Sequence, residues 1–288
     1  MSPNLIGALL MMGSMAAFTI NDTFMKATGG AVPLFQLIFL RGLLSLVLIF
    51  ALANRLGPMH LRLSPKDWSL VGLRSLAEIA ASYFFLTALF NMPLANLTAI
   101  LQALPLTITL ASALFLREAV GWRRFGAIGI GFLGVLLIVK PGSEGFNAWS
   151  LYGLIAVACV TVRDLSVRRM SAGVPSMTVT LSATLSVTVA AGLASLGQPW
   201  APVTPELAGL IVGAAFFVLA GYFLSIQVMR VGEVSFTAPF RYTGLIWALI
   251  LGWLVFGDWP AWSTLAGAGI VVATGIFTLY RERKLLSA

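Results

Sequence analysis

Apolar runs of membrane-crossing length recur from one end of this chain to the other, and nothing constrains its fold more. A helix needs about 20 apolar residues to cross the hydrocarbon core, where its backbone N–H and C=O groups must be bonded within the segment. Ten such spans can be read, near 4–26, 33–54, 67–89, 94–116, 122–140, 149–169, 175–196, 205–229, 234–256 and 261–281. The runs are continuous rather than alternating, which excludes a β-barrel. Breakers such as NRLGPMH, KPGSEG and GQPWAPVTP fill the loops, and no loop is long enough to be a soluble domain. The opening MSPNLIGALLMMGSMAAFTINDTFMK lacks a basic n-region and is too long an apolar run for a cleaved signal, so it reads as a retained first span. The expected fold class is all-α integral membrane, with ten transmembrane helices.

Charge is scarce and placed accordingly. Of 288 residues, 59% are hydrophobic and 10% charged, with a mean hydropathy of +0.96. A soluble domain carries about 25% charged residues. The net charge of +8 does not mark a nucleic-acid partner, because the bases stand singly or in short groups at the ends of apolar runs. The expected partners are the lipid bilayer and a small-molecule substrate. With the N-terminus inside, twelve bases fall in cytoplasmic segments: Arg55, Arg62, Lys66, Arg117, Arg123, Arg124, Arg168, Arg169, Arg230, Arg281, Arg283 and Lys284. Only Lys26 and Lys140 fall outside, which favours N-in, C-in. The single cysteine, Cys159, cannot form an internal disulfide. The single histidine, His60, has no second histidine or cysteine with which to hold a metal, so no metal and no cofactor is expected.

The two halves of the chain resemble each other. NDTFMKATGGAVP (Asn21 to Pro33) matches RDLSVRRMSAGVP (Arg163 to Pro175) at a shift of 142. LTAILQ (Leu97 to Gln102) matches FTAPFR (Phe236 to Arg241) at 139, and GAIGIGFLGV (Gly126 to Val135) matches GAGIVVATGI (Gly267 to Ile276) at 141. Residues 1–145 and 146–288 then form two repeats of five spans. An odd number of spans inverts the second copy in the bilayer, a plan that recurs in secondary transporters.

These features, with ALFNMPLANLTAILQALPLTITLASALFLRE closing one half and VSFTAPFRYTGLIWALILGWLVFGDWP closing the other, resemble the drug/metabolite transporter superfamily, and its EamA-type exporters best. The resemblance covers almost the whole chain. It implies a multi-pass carrier of small metabolites in the bacterial inner membrane, often an amino-acid exporter. The YddG-type exporters of aromatic and other amino acids are the nearest group.

Seven ionisable residues fall inside the spans: Asp22, Arg41, Arg74, Glu78, Arg163, Asp164 and Arg241. Each costs at least about 2.5–3.5 kcal/mol at the bilayer centre, so they are expected to face a watery interior. Depth along each span puts Asp22 and Arg41 toward the outer side and the other five toward the inner side. Arg74 and Glu78 are four apart and can pair on one helix face. That pair is either structural or an inner gate, and Asp164 could play the same part with a neighbouring arginine. Asp22, Glu78 and Asp164 could each carry a coupling proton. Arg241 is expected to face the cavity and to meet a substrate carboxylate or an acidic partner such as Glu78 or Asp164.

Polar stripes add binding candidates. Thr98, Gln102, Pro105 and Thr109 share one face of the fourth span, and Gln102 is the repeat mate of Arg241. Pro105 should kink that span. In the first span Ser14, Phe18 and Asn21 share a face. The hydroxyls of the seventh span, Thr178, Thr180, Ser182, Thr184, Ser186 and Thr188, point all round the helix and read as packing or mobility. Tyr83, Phe85 and Trp247 are deeper aromatic candidates, whereas Trp68, Trp122, Trp149, Trp200, Trp259 and Trp262 sit at span ends and suit interface belts. The glycine-rich fifth and tenth spans read as scaffold.

A secondary carrier needs no covalent chemistry, and these residues suit one. An embedded enzyme would need a nucleophile with its base or a metal cluster, and no P-loop or HExxH occurs. A channel would need a filter-like loop between spans, and none is seen. Substrate identity and direction stay open between amino-acid export and uptake or export of another metabolite or drug.

Overall fold

The structure is a computed structural model that describes residues 2–52, 62–116, 121–140, 147–231 and 237–286. Arg55, His60 and Arg117 lie outside the described residues, as does most of the loops NRLGPMH and KPGSEG. All regular structure among the described residues is helical. The spans are the first (Pro3–Ala27), second (Leu34–Ala51), third (Pro65–Asn91), fifth (Trp122–Val139), sixth (Trp149–Arg169), seventh (Ser176–Ser195), eighth (Pro205–Val231) and tenth (Trp262–Leu286). Eight helical segments are long and apolar enough to cross a membrane. Two shorter apolar helices, Phe125–Val139 and Trp262–Thr278, lie in the fifth and tenth spans.

The fourth and ninth spans are irregular at corresponding places. The fourth breaks into Leu94–Leu101 and Leu104–Phe115, with Gln102 and Ala103 at the break. Pro105 sits in the first turn of the second piece, where its missing N–H costs nothing. In the ninth, Ala238–Tyr242 is a 3-10 turn that follows the helical Thr237 and leads into the helix Thr243–Phe256. Gln102 and its match Arg241 therefore both sit where regular α-helix is interrupted.

The third span shows how local chemistry sets its ends. Ser64 is its N-cap: the Asp67 backbone N–H donates to Ser64 Oγ at 3.1 Å, and Pro65 fills the first helical position. Such a cap contributes about 0.5–2 kcal/mol. At the far end Lys26 of the first span donates from Nζ to the carbonyls of Leu89 and Met92, both at 2.8 Å. A lysine there satisfies carbonyls that the helix itself cannot.

The packing comes in matched sets. The first span packs on the eighth and the third on the sixth, so exchanging halves turns one pair into the other. The second packs on both the eighth and the seventh, and the third packs on the seventh. The fifth and tenth pack on each other. There, a Cβ built on Gly134 would lie 2.8 Å from the Gly267 carbonyl oxygen, and one on Gly267 would lie 2.5 Å from that of Gly134. Only glycine allows two helix backbones so close. The main core gathers Leu86, Leu89, Leu94, Leu97, Ile100 and Leu106 at the third and fourth spans. Leu76 and Leu133 are exposed, as side chains facing lipid would be. Trp122, Trp259 and Trp262 are exposed at span ends.

Candidate functional site

The second, third, seventh and eighth spans surround a small cavity of about 70 Å³ that opens to one side. The second span contributes Arg41 and Ser45, and the third contributes Arg74, Glu78 and Ser82. The seventh contributes Thr180, Thr184 and Thr188, and the eighth Val218 and Tyr222. Residues at matching positions of the two sequence halves share the lining. A shift of 142 carries Ile38, Arg41, Gly42 and Ser45 onto Thr180, Ala183, Thr184 and Val187, all of which line the cavity. A shift of 140 carries Glu78 and Ser82 onto Val218 and Tyr222, which line it too. The first half supplies the charges at these positions; the second supplies small, apolar, hydroxyl and phenol groups.

The ionic groups form two sets of contacts, one around Glu78 and one around Asn21. Arg74 Nη2 lies 3.6 Å from Glu78 Oε2 within the third span. Arg163 Nη1 reaches the same carboxylate from the sixth span, 3.4 Å from Oε1, so Glu78 ties a first-half span to a second-half one. Arg163 Nε also donates to Asp164 Oδ1 at 2.8 Å. Arg41 donates from Nη1 to Asn21 Oδ1 at 3.4 Å, and Asn21 Nδ2 donates to Asp22 Oδ1 at 2.9 Å. Three guanidiniums thus face three carboxylates, and the two sets together are neutral. Burying charge in this way is tolerable only where each group finds a counter-charge and donors.

Arg41, expected toward the outer side, and Arg74 and Glu78, expected toward the inner side, share a cavity lining, because a long arginine stem carries its head well away from its own backbone level. Tyr222 enters the same field: its ring meets Phe18 edge-to-face at 5.2 Å.

The network leaves donors unused. Arg74 is 9% exposed, yet its Nε and Nη1 have no hydrogen-bond partner among the described residues. The adjoining wall, formed by the seventh span, offers acceptors. Thr180, Thr184 and Thr188 donate their hydroxyl protons to the carbonyls of Ser176, Thr180 and Thr184, at 2.9, 3.0 and 2.7 Å. Those oxygens can then only accept. The seventh-span hydroxyls read from sequence as packing or mobility; Thr188 does pack on Gly42, and Thr180, Thr184 and Thr188 also line the cavity. Their spacing of four was visible, but Thr178, Ser182 and Ser186 masked it.

The other sequence candidates lie elsewhere. Arg241 does not line this cavity; it is exposed on the 3-10 turn and makes no ion pair with Glu78 or Asp164. Arg241 sits in a 3-10 turn rather than on a continuous α-helical face, so its alignment with Gln102 does not bring it to this wall. Gln102 is buried where the fourth span meets Met15 and Gly244 of the first and ninth, and Thr98 is half-buried one turn earlier. Neither lines the cavity. Tyr83 is exposed and stacks on Phe35 at 5.9 Å, and Phe85 packs against the main core. Trp247 is half-buried, and its Nε1 has no partner among the described residues. A second groove, between the third, fourth, fifth and sixth spans, is apolar apart from Thr107, Thr161, Ser166 and Arg169.

Two residues not singled out from sequence tie the halves together beside the cavity. Gln36 is buried, donating from Nε2 to Ala201 O at 2.8 Å and accepting from Ala201 N–H at 2.9 Å. Asp67 accepts from Ser171 N–H at 2.9 Å through Oδ1 and from Ser64 Oγ at 2.8 Å through Oδ2.

Known proteins place this arrangement in context. The S-adenosylmethionine uptake transporter of Rickettsia conorii is 28% identical over 276 residues, covering 95% of this chain and 92% of its own. The riboflavin transporter of Vibrio cholerae is 27% identical, covering 96% and 94%. The pseudopaline exporter CntI of Pseudomonas aeruginosa PAO1 is 24% identical, covering 96% and 97%. One crystal structure shares the fold at a TM-score of 0.65 and 20% identity, over 97% of this chain and 98% of the other. The relatives are bacterial transporters, consistent with a multi-pass protein of the bacterial inner membrane. The sequence profile of the EamA-like transporter family matches residues 5–140 and again 147–280, and the chain belongs to that family.

Proposed function

We propose that this chain is a secondary carrier for small zwitterionic metabolites, amino acids or molecules with an amino-acid end, working by alternating access around the cavity of the second, third, seventh and eighth spans. One observation carries the reading: a neutral charge network in the membrane interior, with unused guanidinium donors on one wall and acceptor-only hydroxyls on the other. A zwitterion matches both walls and leaves the buried charge balanced. An ion of either sign alone would not.

The frame for this activity is two inverted repeats, 1–145 and 146–288, with both termini inside. The matched packing of the spans and the double match to one family profile support that frame. Glu78 then serves as a gate or coupling residue, because it joins the third span to the sixth across the halves. Asp22, Arg41, Arg163 and Asp164 hold the network on either side of it. The named relatives fit a carrier of metabolites: S-adenosylmethionine ends in an α-amino carboxylate, while riboflavin does not. They include both uptake and export carriers. Amino-acid export is the direction implied by the resemblance to YddG-type exporters.

The test is counterflow with purified protein in liposomes. Trapped unlabelled L-amino acid, S-adenosylmethionine or riboflavin should drive saturable uptake of its labelled form. A folded protein that passes none of them, or that passes solutes without saturation, sinks the carrier reading.

A further inference from the structure

We propose that Arg74 is the carboxylate anchor of the cavity, fixing one orientation of the substrate: carboxylate toward the third span, ammonium toward the seventh. This rests on the carrier reading above and deepens it. The argument starts from what Arg74 lacks. Its Nη2 meets Glu78 at 3.6 Å, but Nε and Nη1 are buried without a partner. A buried donor left unmade is costly, and a charged one more so. The neighbouring arginines are engaged differently: Arg41 donates to Asn21, and Arg163 to Asp164 and Glu78. Arg74 lines the cavity, and two of its nitrogens are buried without a partner among the described residues.

The ligand chemistry follows. A planar fork of N–H donors suits an oxyanion, and carboxylate or phosphate could both dock. Charge balance chooses between them. Three guanidiniums already face three carboxylates, so a zwitterionic amino acid keeps the interior neutral, whereas a phosphate dianion beside Glu78 does not. The ammonium finds Thr180 and Thr184, whose oxygens can only accept. A larger substituent on the α-carbon would extend toward the apolar lining of Val187 and Val218.

The experiment pairs acids with their decarboxylated amines in proteoliposomes holding the full chain. L-methionine is set against 3-(methylthio)propylamine, L-phenylalanine against phenethylamine, and S-adenosylmethionine against its decarboxylated form. Riboflavin and O-phosphoethanolamine are controls. At least one acid should be carried saturably, with its amine about 10- to 100-fold weaker, the loss of a charge-assisted fork. Arg74→Lys keeps the charge beside Glu78 but not the fork, so it should raise KM for the acid by a similar factor and reduce the acid-to-amine preference. A purely structural Arg74 would weaken both alike. If Arg74→Lys does not fold, the acid-to-amine ratio in the wild type decides alone. Amines carried as well as acids, preference for O-phosphoethanolamine, or saturable riboflavin uptake with no acid carried each overturns the anchor while the carrier reading stands. No saturable uptake of any probe overturns both.

Discussion

The fifth and tenth spans meet backbone to backbone, and that contact has a calculable consequence. A Cβ at Gly134 would stand 2.8 Å from the Gly267 carbonyl oxygen and 3.0 Å from methyls of Ile270 and Val271. A Cβ at Gly267 would stand 2.5 Å from the Gly134 carbonyl oxygen and 2.8 Å from Ile138. Ordinary contact starts at 3.4 Å, so the helices must part by 0.6 Å in the first case and 0.9 Å in the second. The obstacle is backbone, which no rotamer change removes. A radial gap of about 0.5–1 Å forfeits a quarter to a half of the dispersion well along the crossing. Overpacking of this kind costs about 1–3 kcal/mol. Against it stands the gain of about 0.5–1 kcal/mol from replacing glycine by alanine within a helix. The net sign is destabilising at Gly134 and more so at Gly267. It reverses at Gly126 and Gly129, where a Cβ meets nothing within 4 Å. Thermal unfolding of the four purified alanine variants in one detergent checks this. Equal melting points for Gly134→Ala and the wild type, or an equal loss at Gly126→Ala, would refute the close crossing.

Other outcomes follow from the site. Glu78→Gln should cost more stability than Arg74→Gln, because Glu78 serves two arginines, and Arg74→Gln with Glu78→Gln should fold but lose counterflow; full counterflow by the pair would remove Glu78 from the gate. Arg241→Leu should fold and transport at the wild-type rate, since the side chain is exposed and outside the ion network; lost transport in a folded variant would return Arg241 to the site. In a Cys159→Ala background, Gly197→Cys should react with an impermeant thiol reagent from outside intact cells and Gly173→Cys should not; the reverse pattern would overturn the N-in frame. Gln36→Ala and Asp67→Ala should shift access in opposite directions, read by labelling of Ser45→Cys in the cavity from either side; a shift in the same direction would show that they do not act at opposite ends.

Element existence was legible because membrane helices announce themselves by length and continuity. The irregular turns within them were not. The break at Gln102 and Ala103 precedes Pro105, whose restricted backbone begins a new helix rather than bending an old one. The ninth span looks uniformly helical by hydropathy, yet Ala238–Tyr242, which holds Arg241, is a 3-10 turn. Within the site, a spacing of four puts Arg74 and Glu78 on one face. Nothing in the sequence says that Arg163, 85 residues away, completes the pair. The threonine wall was hidden for another reason: a helix with hydroxyls on every face gives no contrast, and only the neighbouring spans decide which of them face a cavity. Tyr222 carried a signal that a residue-by-residue repeat alignment could have used, since its mate Ser82 lines the same cavity.

Gln36 and Asp67 lie near the starts of consecutive spans that cross the membrane in opposite directions, so they sit at opposite ends of the cavity. Each binds a corner of the second half: Gln36 takes Ala201, between the seventh and eighth spans, and Asp67 takes Ser171, between the sixth and seventh. Each contact holds the start of a first-half helix to a corner of the second half. Their strengths are comparable. Gln36 makes two neutral hydrogen bonds of about 1 kcal/mol each, and Asp67 makes one charge-assisted bond to the second half of about 1.5–3 kcal/mol. A carrier needs this balance, because a latch much stronger at one end would hold nearly every molecule open at the other. A difference of about 2 kcal/mol is close to a thirtyfold change in population. Removing either latch therefore suffices to commit the protein to one side, and the two removals must act with opposite sign.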